Sequence, residues 1–126
     1  MDRELAVLVR AGHAHYPKDL NHLQYGAAVW RSESEIFDVT LFELGIKHVD
    51  RRSGRATEIT LSDIKRIDSS LNAQVISEAS RTNNMNSFLP MRFATSDKEI
   101  ELDIPLLIYS GLLIAISART KRTATK

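Results

Sequence analysis

Residues Gly45–Asp68 read G-I-K-H-V-D-R-R-S-G-R-A-T-E-I-T-L-S-D-I-K-R-I-D. Ile46–Asp50 and Ala56–Leu61 read as short strands. Between them lies R-R-S-G-R, whose Ser-Gly pair supplies turn chemistry. Leu61-Ser62-Asp63-Ile64 then leads into a third short strand, Ile64–Asp68. Strand, polar turn, strand and a third strand after a short corner specify an antiparallel sheet.

Outward from this stretch the same pattern recurs. Tyr25–Arg31 and Ile36–Leu44 read as strands, with Gly45 as a bulge or tight turn between the latter and Ile46. Ala73–Ala79 is a weaker strand candidate, and the asparagine-rich Ser80–Ser87 reads as a loop. Phe88–Thr95 and Lys98–Leu102 form a hairpin around Ser96-Asp97. Asp2–Ala11 has helical spacing, with Leu5, Leu8 and Val9 on one stripe and Gly12 as its stop. The loop Gly12–Gln24 holds Pro17 and three histidines. At the other end, Asp103 as N-cap and Pro105 in the first turn predict a helix running to about Ala118. The predicted fold class is α+β: a small antiparallel β roll or barrel of six or seven short strands. A short N-terminal helix precedes it and a C-terminal helix caps it.

Composition narrows the function classes. The chain has 126 residues, one ordinary domain, with 43% hydrophobic and 26% charged residues. Without cysteine there is no disulfide framework, thiolate metal site or thiol nucleophile. Seventeen basic against sixteen acidic residues give a net charge of +1, with no global pull toward nucleic acid. Stacking aromatics interleaved with cations are missing too, so nucleic acid is not an expected partner. The N-terminus lacks the pattern of a secretory signal, because Glu4 precedes and Arg10 ends a short apolar run. Ile104–Ile116 is well short of the ~20 residues that span a bilayer. A cytoplasmic protein, at most peripheral to a membrane, is the expectation.

Gly45–Asp68 resembles the middle strands of bacterial pleckstrin-homology-like (PH-like) domains. In these a strand ending in Asp-Arg meets a Ser-Gly turn, and Leu-Ser-Asp-Ile opens the third strand. M-R-F-A-T-S-D-K-E-I-E-L-D, Met91–Asp103, resembles their last hairpin before the capping helix. The resemblance implies one PH-like domain over residues 1–118, followed by a basic flexible tail, 119–126. It also places the arginine turn at the open end of the barrel. Two features depart from it. The only tryptophan, Trp30, lies in the first strand rather than in the last helix. The loop equivalent to the usual lipid-headgroup site, Arg31–Glu35, carries one Arg and two Glu.

The candidate sites follow. Arg51, Arg52 and Arg55 form an anion-binding candidate, because a guanidinium donates in a rigid fork to phosphate or carboxylate. The C-terminal helix is apolar nearly all round, so it needs cover on both sides: one can close the barrel, and the other calls for the N-terminal helix, a second subunit or a membrane surface. Leu106, Tyr109, Leu112, Leu113 and Ile116 are therefore expected to form an interface. His13, His15 and His22 would make a nitrogen-rich site if they converge, but H-x-H alone fixes no geometry. Glu33 with Glu35 and Glu99 with Glu101 are the solvated faces of strands. No nucleophile elbow, phosphate loop or metal motif occurs, so no catalytic residue, cofactor or metal is assigned. The expected function is a non-catalytic binding or assembly module acting through protein contacts, self-association included. The alternatives are a peripheral module on anionic membrane, with the arginines and basic tail as its contacts, and a small enzyme with a histidine-lined site.

Overall fold

A computed structural model describes residues 2–71, 74, 77, 78, 81 and 87–124. The chain runs α1 (Arg3–Arg10), β1 (Asn21–His22), β2 (Gly26–Glu33), β3 (Phe37–Phe42), β4 (Gly45–Asp50) and β5 (Arg55–Thr60). A 3-10 turn (Leu61–Asp63) then leads to β6 (Arg66–Ser69), β7 (Phe88–Ala94), β8 (Glu99–Pro105) and α2 (Leu106–Ala124). The described strands form two antiparallel sheets, β1-β2-β3-β4-β5, curled as a half-barrel, and β6-β7-β8. The α+β class, the antiparallel sheets and both helices are as the sequence predicts.

The β4–β5 hairpin shows how the sequence sets the register. Gly54 adopts φ +79°, which a side chain would disfavour, and its N–H bonds to the Asp50 carbonyl at 2.7 Å. That closes a four-residue turn and pairs Asp50 with Arg55 and Ile46 with Ile59. Four positions on from Arg55 the odd residues enter the core, where Ile59 and Leu61 are buried. In β2 the register shifts between Ala28 and Trp30, a bulge that adds a residue and re-aims the strand. Trp30 and Ser32 then both point inward, and Trp30 is fully buried.

The core lies between the two sheets and α2. Val39, Leu41, Ile46, Met91, Phe93, Ile104, Tyr109, Leu112 and Ile116 are completely buried in it. α1 covers the other side of α2, with Leu5 buried and Leu8 and Val9 packed against the cluster. The helices meet at Gly111, where an added Cβ would lie 3.0 Å from Leu8 Cδ1. Asp2 makes no cap bond to α1, because its carboxylate accepts two hydrogen bonds from Arg119, at 3.0 and 2.6 Å.

Beyond shifts of one or two residues at strand ends and the short β1 within the expected loop, three boundaries differ from the predicted ones. Asp103 does not start the last helix. It is a strand residue paired with Pro90, and β8 continues to Pro105. The alternation of Leu102 and Ile104 into the core sustains the strand, and Pro105 falls where no ladder N–H is needed. α2 continues past Ala118 to Ala124, so Arg119 belongs to a helix anchored by Asp2 rather than to a tail. Gly45 is neither bulge nor turn. It begins β4, and its missing side chain makes room for the Tyr25 ring, whose Cγ lies 2.3 Å from where a Cβ would stand. The Ala73–Ala79 strand and the Ser80–Ser87 loop lie mostly outside the described residues; Gln74, Ser77, Glu78 and Arg81 have helical backbone.

Candidate functional site

The structure separates the three arginines of the β4–β5 turn. Arg51 donates to the Ser34 carbonyl at 2.6 Å and to Asp38 at 3.2 Å, tying the turn to β3. Arg52 turns the other way. It donates twice to Asp50 at 3.0 Å, lies 3.7 Å from Asp103 on β8, and covers the Phe88 ring at 4.3 Å. These contacts neutralise the turn and fasten the first sheet to the second. Hydrogen bonds from Arg52 hold the Asp50 carboxyl down at about 2. Burial raises the Asp38 carboxyl, but Arg31 and Arg51 outweigh it and the net direction is down. Arg55 lines a groove.

The five interface candidates of the last helix, Leu106, Tyr109, Leu112, Leu113 and Ile116, are turned largely inward. Tyr109, Leu112 and Ile116 are wholly buried, Leu106 nearly so, and Leu113 packs half-buried on the core. The reason is α1, which supplies from within the chain the cover that the apolar helix requires. Tyr109 also uses its polar tip internally. Its hydroxyl donates to the Pro90 carbonyl at 2.7 Å and accepts from Ser70 N–H at 3.0 Å.

The histidines are dispersed. The His13 carbonyl accepts from Ser32 Oγ at 2.6 Å, and His15 bridges to Arg31 on β2. His22 stacks on Tyr25 at 4.2 Å, meets Phe42 edge-on and reaches Glu58 at 3.3 Å. Gln24 N–H donates to His22 Nδ1, so Nε2 is the nitrogen that faces Glu58. Among the described residues no group of three or more His, Cys, Asp or Glu is arranged to hold a metal.

What the sequence reading missed is a groove of about 640 Å³ between β5 and β8. Ala56, Thr57 and Glu58 line one wall; Glu99, Glu101 and Asp103 line the other. Both strands are the last of their sheets. In an antiparallel ladder, alternate residues turn both backbone groups toward the neighbour and the rest turn theirs away. Leu61 N–H bonds to the Leu44 carbonyl, so Ile59 and Thr57 face β4, while Thr60, Glu58 and Ala56 face outward. Leu106 N–H bonds to the Ser87 carbonyl, so Ile104, Leu102 and Ile100 face β7, while Asp103, Glu101 and Glu99 face outward. The Asp103 carbonyl agrees with this parity: it accepts from His48 Nε2 at 2.9 Å, across from β4.

Among the described residues no strand pairs with either edge, so two open strand edges face each other. His48 and Arg52 hold the Asp103 end of β8 near the Arg55 end of β5. The Leu61–Asp63 turn and the Lys65 N–H bond to the Ala94 carbonyl bring the Glu99 end near Thr60. The edges therefore run antiparallel. The groove floor carries His48, Thr57, Ile100 and Leu102, and its outer rim carries Glu58, Glu99, Glu101 and Asp103. No alternation in the sequence marks an edge, because edge status depends on how the sheet curls.

Comparison of the chain with protein-family models, with curated proteins and with solved structures finds no match. Among the described residues no helix is long and apolar enough to cross a membrane.

Proposed function

We propose that this protein is a non-catalytic binding module, PH-like in plan, that takes up an extended segment of a protein partner along the β5–β8 groove. The observation that carries this reading is the pair of open strand edges facing each other across 640 Å³. An open edge presents unpaired N–H and C=O groups, the template used when a peptide adds to a sheet. A segment lying here meets two such edges at once. Because they run antiparallel, it pairs antiparallel with one and parallel with the other. The alternative of an anionic-lipid module loses support from the turn arginines, since Arg51 and Arg52 already serve carboxylates of the same chain.

Amide-resolved NMR titration with short β-forming peptides tests the reading. Shifts confined to residues 55–60 and 98–103 are expected. Shifts that map to another surface, or none at all, would overturn it. Proline at Glu58 or Glu101 removes only an outward N–H, so Glu58→Pro and Glu101→Pro should weaken peptide binding while Trp30 fluorescence stays native. Size exclusion of the protein alone shows whether a second copy is the partner.

A further inference from the structure

We infer that the groove selects a cationic extended segment, with Lys or Arg at alternate positions facing outward and apolar or small residues facing in. This rests on the groove being the binding site. Residues directly opposite on neighbouring strands share a face of the sheet. A strand in the groove therefore sets one side of its pleat beside Thr57, Ile100 and Leu102, and the other beside Glu58, Glu99, Glu101 and Asp103. Glu99, Glu101 and Asp103 recur every second residue along β8, which is the spacing of successive outward side chains in any strand that pairs with it. The floor is partly apolar, with Leu102 buried and Ile100 half-buried.

The rim carboxylates have capacity for this. Glu101 accepts from Arg92 at 2.8 Å, Glu99 from Arg66 at 3.4 Å, Asp103 lies 3.7 Å from Arg52, and Glu58 lies 3.3 Å from His22. Arg66 and Arg92 come from β6 and β7, on the side of β8 away from the groove. A carboxylate offers about four acceptor sites, so each acid can serve a second cation from the groove side. An acidic segment would instead set its carboxylates beside four of the same sign. The two lining cations, Arg55 and Lys98, belong to opposite ends of the groove and leave its middle to the acids.

The test uses three short peptides that alternate valine with lysine, serine or glutamate, followed by fluorescence anisotropy and amide exchange. The lysine peptide should bind about threefold or more tighter than the serine peptide, lose that margin at high salt, and protect the amides of Ala56, Glu58, Glu99 and Glu101. The glutamate peptide should bind weakest. Reversing the rim with Glu58→Lys and Glu101→Lys should invert the order. If that variant does not fold, Glu58→Gln with Glu101→Gln, which leaves Glu99 and Asp103 charged, should narrow the lysine peptide's margin over the serine peptide, and an unchanged margin would overturn the charge rule. Equal protection by all three peptides would overturn the charge rule and leave the groove as the site. Failure of every peptide to protect these amides would overturn the groove reading itself.

Discussion

Gly45→Ala is the sharpest test of how the outer face of the first sheet is built. Gly45 lies in β4 with no left-handed backbone, so alanine is conformationally acceptable there. In an empty environment the change would stabilise the strand by about 0.5–1 kcal/mol, through the lower entropy of the unfolded chain. The environment is not empty. The new Cβ would stand 2.3 Å from Tyr25 Cγ and 2.5 Å from both Cδ atoms, where ordinary contact needs about 3.5 Å. The Tyr25 ring must retreat by more than about 1 Å, yet it is 4% exposed and stacked on His22. Overpacking of this kind costs about 1–3 kcal/mol. Swinging the ring out to solvent costs about the same, the worth of burying a large side chain. The expected loss is therefore about 2 kcal/mol. In a Tyr25→Ala background the clash disappears and the same substitution should be neutral or slightly stabilising. Urea unfolding followed by emission of the single tryptophan, Trp30, measures both. A coupling of about 2 kcal/mol supports the packing account. An equal cost of Gly45→Ala in both backgrounds would refute it.

Tyr109→Phe removes a buried hydroxyl that serves both Pro90 O and Ser70 N–H, and should cost about 1–3 kcal/mol in the same assay. A change near zero would mean that the hydroxyl is not so engaged. Gly111→Leu would drive a side chain into Leu8 and Glu4 of α1, and should cost about 1–3 kcal/mol, whereas Gly111→Ala crowds the flexible end of Leu8 and touches Glu4 at ordinary contact distance, and should cost much less. Hydrogen bonds from Arg119 lower the Asp2 carboxyl from its ordinary value. Its folded-state value thus lies below its unfolded one, so its contribution is full above the ordinary carboxylate range and is lost as pH falls through the lowered value. Asp2→Asn should therefore be less stable than the parent at neutral pH, and the gap should close toward strong acid. A gap independent of pH would show that the ion pair is not its source.

Much of the fold was legible because it rests on local pattern. The Ser53–Gly54 turn, the short strands around it and the stripe of Leu5, Leu8 and Val9 each specify an element without reference to the rest. The misjudged boundaries come from cues that tertiary context overrides. Asp103 and Pro105 resemble a helix start, but the sheet holds both as strand. Arg119 resembles the start of a frayed tail until Asp2, 117 residues away in sequence, is found beside it. The all-round apolar character of α2 demands cover, and the sequence leaves the N-terminal helix, a second subunit and a membrane surface as its sources; the structure packs Leu5, Leu8 and Val9 of α1 into the cluster that α2 joins. The groove was the least legible. Glu99 and Glu101 looked like the solvated face of a strand, which they are, and only the curl of the sheets shows that the same strand ends in an open edge.

Amide hydrogen exchange of the free protein tests that open edge most directly. Along β5 and β8 the account predicts alternation: Ala56, Glu58, Glu99 and Glu101 exchange fast, while Thr57, Ile59, Ile100 and Leu102 are protected by their ladders. Uniform protection along both strands would mean that the edges are already paired, and would contradict the groove.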